Sequence, residues 1–152
     1  MMTLSASDLL SPERVLLDLA GDDEISAIRA VTALLEGDPD VGNLEQLTAQ
    51  VLEREALSST ALGSGVAFPH ARTDQVSRIV VSAGRCPKGV LFRQADELVH
   101  FIFVIATPRN QVPQYLSAVG RLARLLNQAA VRDQLMRAGT AAEFLAPLQT
   151  GG

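Results

Sequence analysis

His70 ends the segment Gly63-Ser64-Gly65-Val66-Ala67-Phe68-Pro69-His70, where two glycines and a proline restrict how the chain can present an imidazole. A neutral imidazole is nucleophilic near pH 7 without prior activation, because its ordinary pKa is about 6.5. A phosphoryl group in transfer spreads negative charge over its equatorial oxygens, so nearby cations and hydrogen-bond donors lower the barrier. Arg54 and Arg72 are the candidate cations, and Ser58, Ser59, Thr60 and Ser64 the candidate donors. Glycines such as Gly65 let a partner's backbone approach closely. Taken alone, a histidine after a proline is also an ordinary turn or packing residue, so the chemistry permits phosphoryl transfer without compelling it.

Other site types fit less well. Gly63-Ser64-Gly65 begins like a dinucleotide fingerprint, but Phe68 replaces its third glycine and Pro69-His70 follow where a helix should start. No Gly-Lys-Ser/Thr supplies a phosphate loop. A hydrolase elbow needs one more residue on each side of the serine than Gly63-Ser64-Gly65 offers. Two distant histidines and one cysteine give no metal-ligand spacing, so no metal site is expected.

The elements that must position His70 are readable from periodicity. Val15-Leu16-Leu17 reads as a first strand. Asp22 or Asp23 can then cap a helix whose apolar face is Ile25, Ile28, Val31, Ala33, Leu34 and Leu35, stopped by Gly37 and Pro39. Asn43 opens a second helix, with Gln46 in the capping-box position, and Leu44, Leu47, Val51 and Leu52 on one face. Arg54 falls in its last turn, where a cation meets the negative end of the helix dipole. Pro69 pushes Phe68 into an extended conformation. Ile79-Val80-Val81 predicts a short strand ending near Gly84, and residues 98–105 a longer one, apolar on both faces and so central. After Pro113 a helix is predicted to about Asn127, with Tyr115, Val119, Leu122 and Leu126 on one stripe. Shorter helices follow over 131–137 and 140–148. Strands interleaved with helices, then a helical tail, give an α/β domain.

Composition narrows the class. A chain of 152 residues, 47% hydrophobic and 20% charged, suits one globular domain. Cys86 stands alone, so no internal disulfide forms and a reducing cytoplasm is the expected setting. The apolar run 98–106 is about half of the roughly 20 residues a membrane helix needs, and the chain opens without a signal-peptide pattern, so no membrane insertion is expected. The net charge of −4 is uneven: eleven acidic and two basic residues fall in 1–53, six acidic and eleven basic in 54–152. The basic residues are dispersed and aromatics scarce, which argues against nucleic acid as a partner.

The ungapped stretch from Arg54-Glu55 through Ser59-Thr60, Gly63-Ser64-Gly65 and Ala67 to Pro69-His70 closely resembles the active-site signature of the fructose/mannitol/nitrogen-regulatory enzyme IIA components of the bacterial phosphotransferase system (PTS). Leu4-Ser5 and Leu9-Leu10 are similar to that family's opening segment, and 99–108 to its strand ending in proline. The resemblance implies a single type-2 IIA domain over 1–152, a three-layer α/β/α arrangement around a small mixed sheet, and no metal or organic cofactor. It further implies a phosphocarrier that accepts a phosphoryl group on His70 from HPr or a nitrogen-type relative, with Arg54 as the charge-stabilising arginine. Thr60, Ser64, Gly65, Arg72 and Tyr115 are then the expected neighbours of the phosphoryl group. Onward partners are a sugar-specific IIB component or regulatory targets, and the length of the chain favours the regulatory branch. One departure stands out: many members carry a second histidine seven residues after the strand-ending proline, and counting from Pro108 places Tyr115 there. A phenol donates a hydrogen bond but supplies no imidazolium charge, so a non-catalytic regulatory binding module of the same fold is the alternative. His100, at the start of the long strand, is expected to be structural.

Overall fold

The computed structural model describes residues 9–149; Leu4 and Ser5 lie outside them. Val15–Leu16 (β1), Val66–Ala67 (β2), His70–Arg72 (β3), Val80–Phe92 (β4) and Glu97–Thr107 (β5) form one five-stranded mixed sheet. Five helices lie wholly within the described residues: Glu24–Thr32 (α1), Leu44–Leu57 (α2), Val112–Leu126 (α3), Ala129–Arg137 (α4) and Ala141–Gln149 (α5).

Each face of the sheet has its own core. Phe68, Val81, Phe101, Phe103 and Ile105 pack against Leu122 and Leu126 of α3, Leu135 of α4, and Phe144 and Leu148 of α5. The alternate residues Val80, Ile102, Val104 and Ala106 face Ile28 and Val31 of α1 and Leu47 and Val51 of α2. Side chains that alternate between two buried faces require a helical layer on each side, which is the expected α/β/α arrangement. β5 is its middle: it pairs antiparallel with β4 and parallel with both β2 and β3.

β2 and β3 keep the same register against β5, Val66 opposite Phe101 and His70 opposite Ile105. They are one edge strand interrupted at Phe68-Pro69. Proline has no N–H to donate and is tolerated at a sheet edge, and its carbonyl still accepts from the Ile105 amide at 3.0 Å. His70 thus enters the sheet beside Ile105, on the face that α3 covers.

Three expectations need correction. The strand predicted to end near Gly84 continues to Phe92. Gly84 is a packing position rather than a terminator, because a Cβ there would lie 2.6 Å from Val31 Cγ2. On α1 the apolar face is narrower than predicted: Ile25 is 55% exposed, the α-helix ends at Thr32, and residues Ala33–Leu35 form a 3-10 turn. The capping box at α2 is half made. Gln46 N–H donates to Asn43 Oδ1 at 2.9 Å, but the Asn43 amide is taken by Gln75 Oε1 rather than by Gln46. The α1 cap is Asp23, which accepts from Ser26 N–H at 2.8 Å.

Candidate active site

An open cleft of about 600 Å³ lies between the end of α2, the edge strand β3 and the start of α3. His70, Arg54, Arg72 and Tyr115 all line it, together with Gln50, Glu53 and Arg109. The sequence therefore foresees four residues that the fold gathers from three separate elements.

His70 is half-buried, and its Nδ1 lies 2.9 Å from the Phe68 carbonyl oxygen. A carbonyl only accepts, so Nδ1 carries the proton and the lone pair is on Nε2. No protein group within the described residues occupies Nε2. Burial holds the imidazole pKa below its ordinary value; the Phe68 carbonyl opposes this, and the Arg54 and Arg72 charges reinforce it. The ring is therefore neutral and nucleophilic at neutral pH.

Arg54 reaches the cleft from the last turn of α2, where its Nη1 donates to the Ser58 carbonyl at 3.0 Å, the C-cap of its own helix. That anchor leaves the rest of the fork available to an anion. Arg72, two residues beyond His70 on the same edge strand, points to the same face of the sheet. The Tyr115 ring lies 5.6 Å from the His70 ring, centroid to centroid, tilted by 42°. Among the described residues its hydroxyl donates to no protein group. Burial raises the phenol pKa, only partly offset by Arg54 and Arg72, so it remains a proton donor at neutral pH.

Thr60, Ser64 and Gly65 do not line the cleft. Thr60 instead donates both its amide, at 2.9 Å, and its hydroxyl, at 2.7 Å, to the buried Glu55 carboxylate. Gly63 and Gly65 adopt positive φ, +92° and +80°, and turn their amides onto the two oxygens of Glu97, each at 2.8 Å. The glycines build an internal anchor for the loop that leads into His70. Glu55 and Glu97 were missed as anchors, and nothing local in the sequence links Glu97 to a loop more than thirty residues away. Arg109 and Gln50 were also missed. His100 lies outside the cleft and points Nδ1 at the Cys86 carbonyl, 3.0 Å away.

Among the described residues no group of three or more His, Cys, Asp or Glu could hold a metal ion, and no helix is long and apolar enough to cross a membrane. The arrangement offers a neutral imidazole nitrogen in an open cleft lined by Arg54, Arg72 and Arg109, with the leucine side chains Leu57 and Leu116 exposed at its rim.

Comparison with known proteins agrees with that chemistry. The sequence pattern of the family described as phosphoenolpyruvate-dependent sugar phosphotransferase system, EIIA 2, matches residues 8–150. A fructose-specific EIIABC component of the phosphotransferase system from Bacillus subtilis is 28% identical over 89% of this chain, which spans only 21% of that protein. A fructose-specific EIIA component from Haloferax volcanii is 32% identical over 72% of this chain and 73% of its own length. Among solved structures, nitrogen regulatory protein IIA-Ntr from Neisseria meningitidis superposes with a TM-score of 0.85 at 27% identity, covering 93% of this chain and 97% of that one. The mannitol IIA enzyme of Escherichia coli, solved in complex with phosphorylated mannitol IIB, gives 0.79 at 25% identity, with 91% and 96% covered. The chain belongs to the EIIA 2 family of the phosphoenolpyruvate-dependent sugar phosphotransferase system.

Proposed function

We propose that residues 1–152 act as one IIA domain that carries a phosphoryl group on Nε2 of His70. The observation that carries this reading is the His70 ring itself: Nδ1 is committed to the Phe68 carbonyl, and the ring borders a cleft shared with Arg54 and Arg72. The donor is a phosphohistidine carrier of the HPr type. The lone pair of Nε2 attacks phosphorus, a new P–N bond forms, and the donor's P–N bond breaks with its electron pair returning to the donor imidazole. No proton need leave His70, because the attacking nitrogen is the unprotonated one. The Phe68 carbonyl stabilises the positive charge that develops on the ring, and Arg54 and Arg72 balance the charge on the phosphoryl oxygens. The exposed Leu57 and Leu116 give the carrier an apolar rim to dock on.

Two fates for the phosphoryl group match the relatives: onward transfer to a cysteine of a IIB component, or retention as a regulatory signal. Likeness to both a fructose-specific component and a nitrogen regulatory protein supports each branch. Incubation with a phosphorylated HPr-type carrier tests the core reading. Wild-type protein should gain an acid-labile, base-stable phosphate that His70→Ala does not. Absence of label on the wild type would overturn it in favour of a non-catalytic module. Adding a IIB protein to labelled chain then separates transport, in which the label is lost, from regulation, in which it stays.

A further inference from the structure

The cleft holds a third arginine besides Arg54 and Arg72. Arg109 lines the same cleft as His70, yet its Nε is engaged by Asp74 Oδ1 at 3.2 Å. The backbone explains the pairing. β3 and β5 run parallel, Arg72 opposite Thr107, and the Thr73 amide donates to the Thr107 carbonyl at 2.9 Å. Asp74 and Arg109 each lie two residues further along, as the chains leave the sheet. Their contact is a single one between exposed side chains, 59% exposed for Arg109 and 79% for Asp74. Exposed pairs of this kind hold weakly. A phosphoryl group on His70 would place about −1.5 to −2 of charge on its oxygens, partly balanced by the positive ring, and those oxygens suit the planar guanidinium fork better than one carboxylate contact does.

We infer that Arg109 is a switched phosphoryl ligand: Asp74 holds it in the unphosphorylated protein, and phosphorylation of His70 draws it away, leaving the Asp74 carboxylate unpaired. The inference rests on the phosphocarrier reading and extends it in two ways. It adds a third arginine to the phosphoryl site. It also gives the two forms of the protein different surfaces beside the cleft, an Arg109–Asp74 pair in one and a free carboxylate in the other. A partner with a cation facing Asp74 would then favour the phosphorylated form.

The test is the equilibrium of phosphoryl exchange between this chain and a phosphorylated HPr-type carrier, measured for wild type, Arg109→Gln, Asp74→Asn and the double variant. Arg109→Gln should lower the equilibrium constant about tenfold, the scale of a lost charge-assisted hydrogen bond. Asp74→Asn should raise it about two- to fivefold, because the competitor for Arg109 is gone. The double variant should match Arg109→Gln alone, since Asp74 acts only through Arg109. In NMR spectra the Arg109 Nε resonance of the wild type should move on phosphorylation. A wild type that labels while Arg109→Gln exchanges at the wild-type level overturns this inference alone, as does an Asp74→Asn increase that persists without Arg109. A wild type that takes no label removes the phosphocarrier reading and this inference together.

Discussion

At the scale of single residues, His70 and its immediate neighbours make the sharpest demands. Its imidazole pKa lies below the ordinary value of about 6.5, chiefly through burial. Phosphoryl acceptance should therefore persist as pH falls through 6.5 and decline only at lower pH, which a pH–rate profile with a phosphorylated carrier would show. The linked effect on stability has a definite sign. The unfolded chain binds the proton first, so stability falls as pH drops from about 6.5 towards the folded-state pKa and is unaffected above that window. A His70→Gln variant should lack that component in urea titrations at a series of pH values. Arg54 makes only an exposed contact to the end of its own helix, so Arg54→Gln should leave the melting temperature nearly unchanged. If its guanidinium meets charge developing on the phosphoryl group, transfer should slow about 10²-fold. Stopped-flow transfer rates beside thermal melts would separate those effects, and equal rates would remove Arg54 from the site. Tyr115→Phe keeps the ring against His70 and removes only the donor, so a loss of roughly tenfold in transfer with unchanged stability is expected.

Among the elements, β4 shows what holds the helical layers to the sheet. Arg85 is buried at 7% exposure. Its Nη1 donates to the carbonyls of Leu135, Met136 and Ala138 at the end of α4, and its Nε to the Leu17 carbonyl. One guanidinium thus satisfies carbonyls that the helix cannot pair for itself. Arg85→Met should destabilise the fold by about 3 kcal/mol, because those acceptors are left buried and unpaired. Labelling of His70 should survive wherever the variant remains folded, and urea unfolding followed by phosphorylation of the folded fraction checks both. The same residue explains why the strand was read too short. A charged side chain after Gly84 resembles the end of an apolar run, and its buried role depends on carbonyls fifty residues further along. Local signals were legible where local chemistry decides: the Asp23 and Asn43 caps, the central β5 and the helices after Pro113. The cleft was legible in part. Arg54, His70, Arg72 and Tyr115 line it, whereas Thr60 and Gly65 proved to be tied to Glu55 and Glu97. A carboxylate such as Glu97, which anchors a loop from a strand more than thirty residues away, leaves no periodic trace in the sequence.

For the molecule as a whole, the two cores share a single sheet, and every strand of the edge that carries His70 is bonded to β5. Neither helical layer has a second sheet to rest on, so unfolding should be one cooperative transition. Tyr115 is the sole tyrosine and tryptophan is absent, which makes intrinsic fluorescence a reporter of the cleft. Urea curves from fluorescence and from far-UV circular dichroism should coincide; an earlier fluorescence transition would show that the cleft loosens before the sheet does. β3 belongs to this sheet through its pairing with β5, so the sheet itself fixes where the imidazole sits. The decisive measurement locates the phosphoryl group on the folded protein after reaction with a phosphorylated HPr-type carrier, using phosphorus–nitrogen correlations in the histidine NMR spectrum. One phosphoryl group is expected, on Nε2 of His70, with Nδ1 still protonated and bonded to the Phe68 carbonyl. A phosphoryl group on Nδ1 or on any other residue, or none at all, would contradict it.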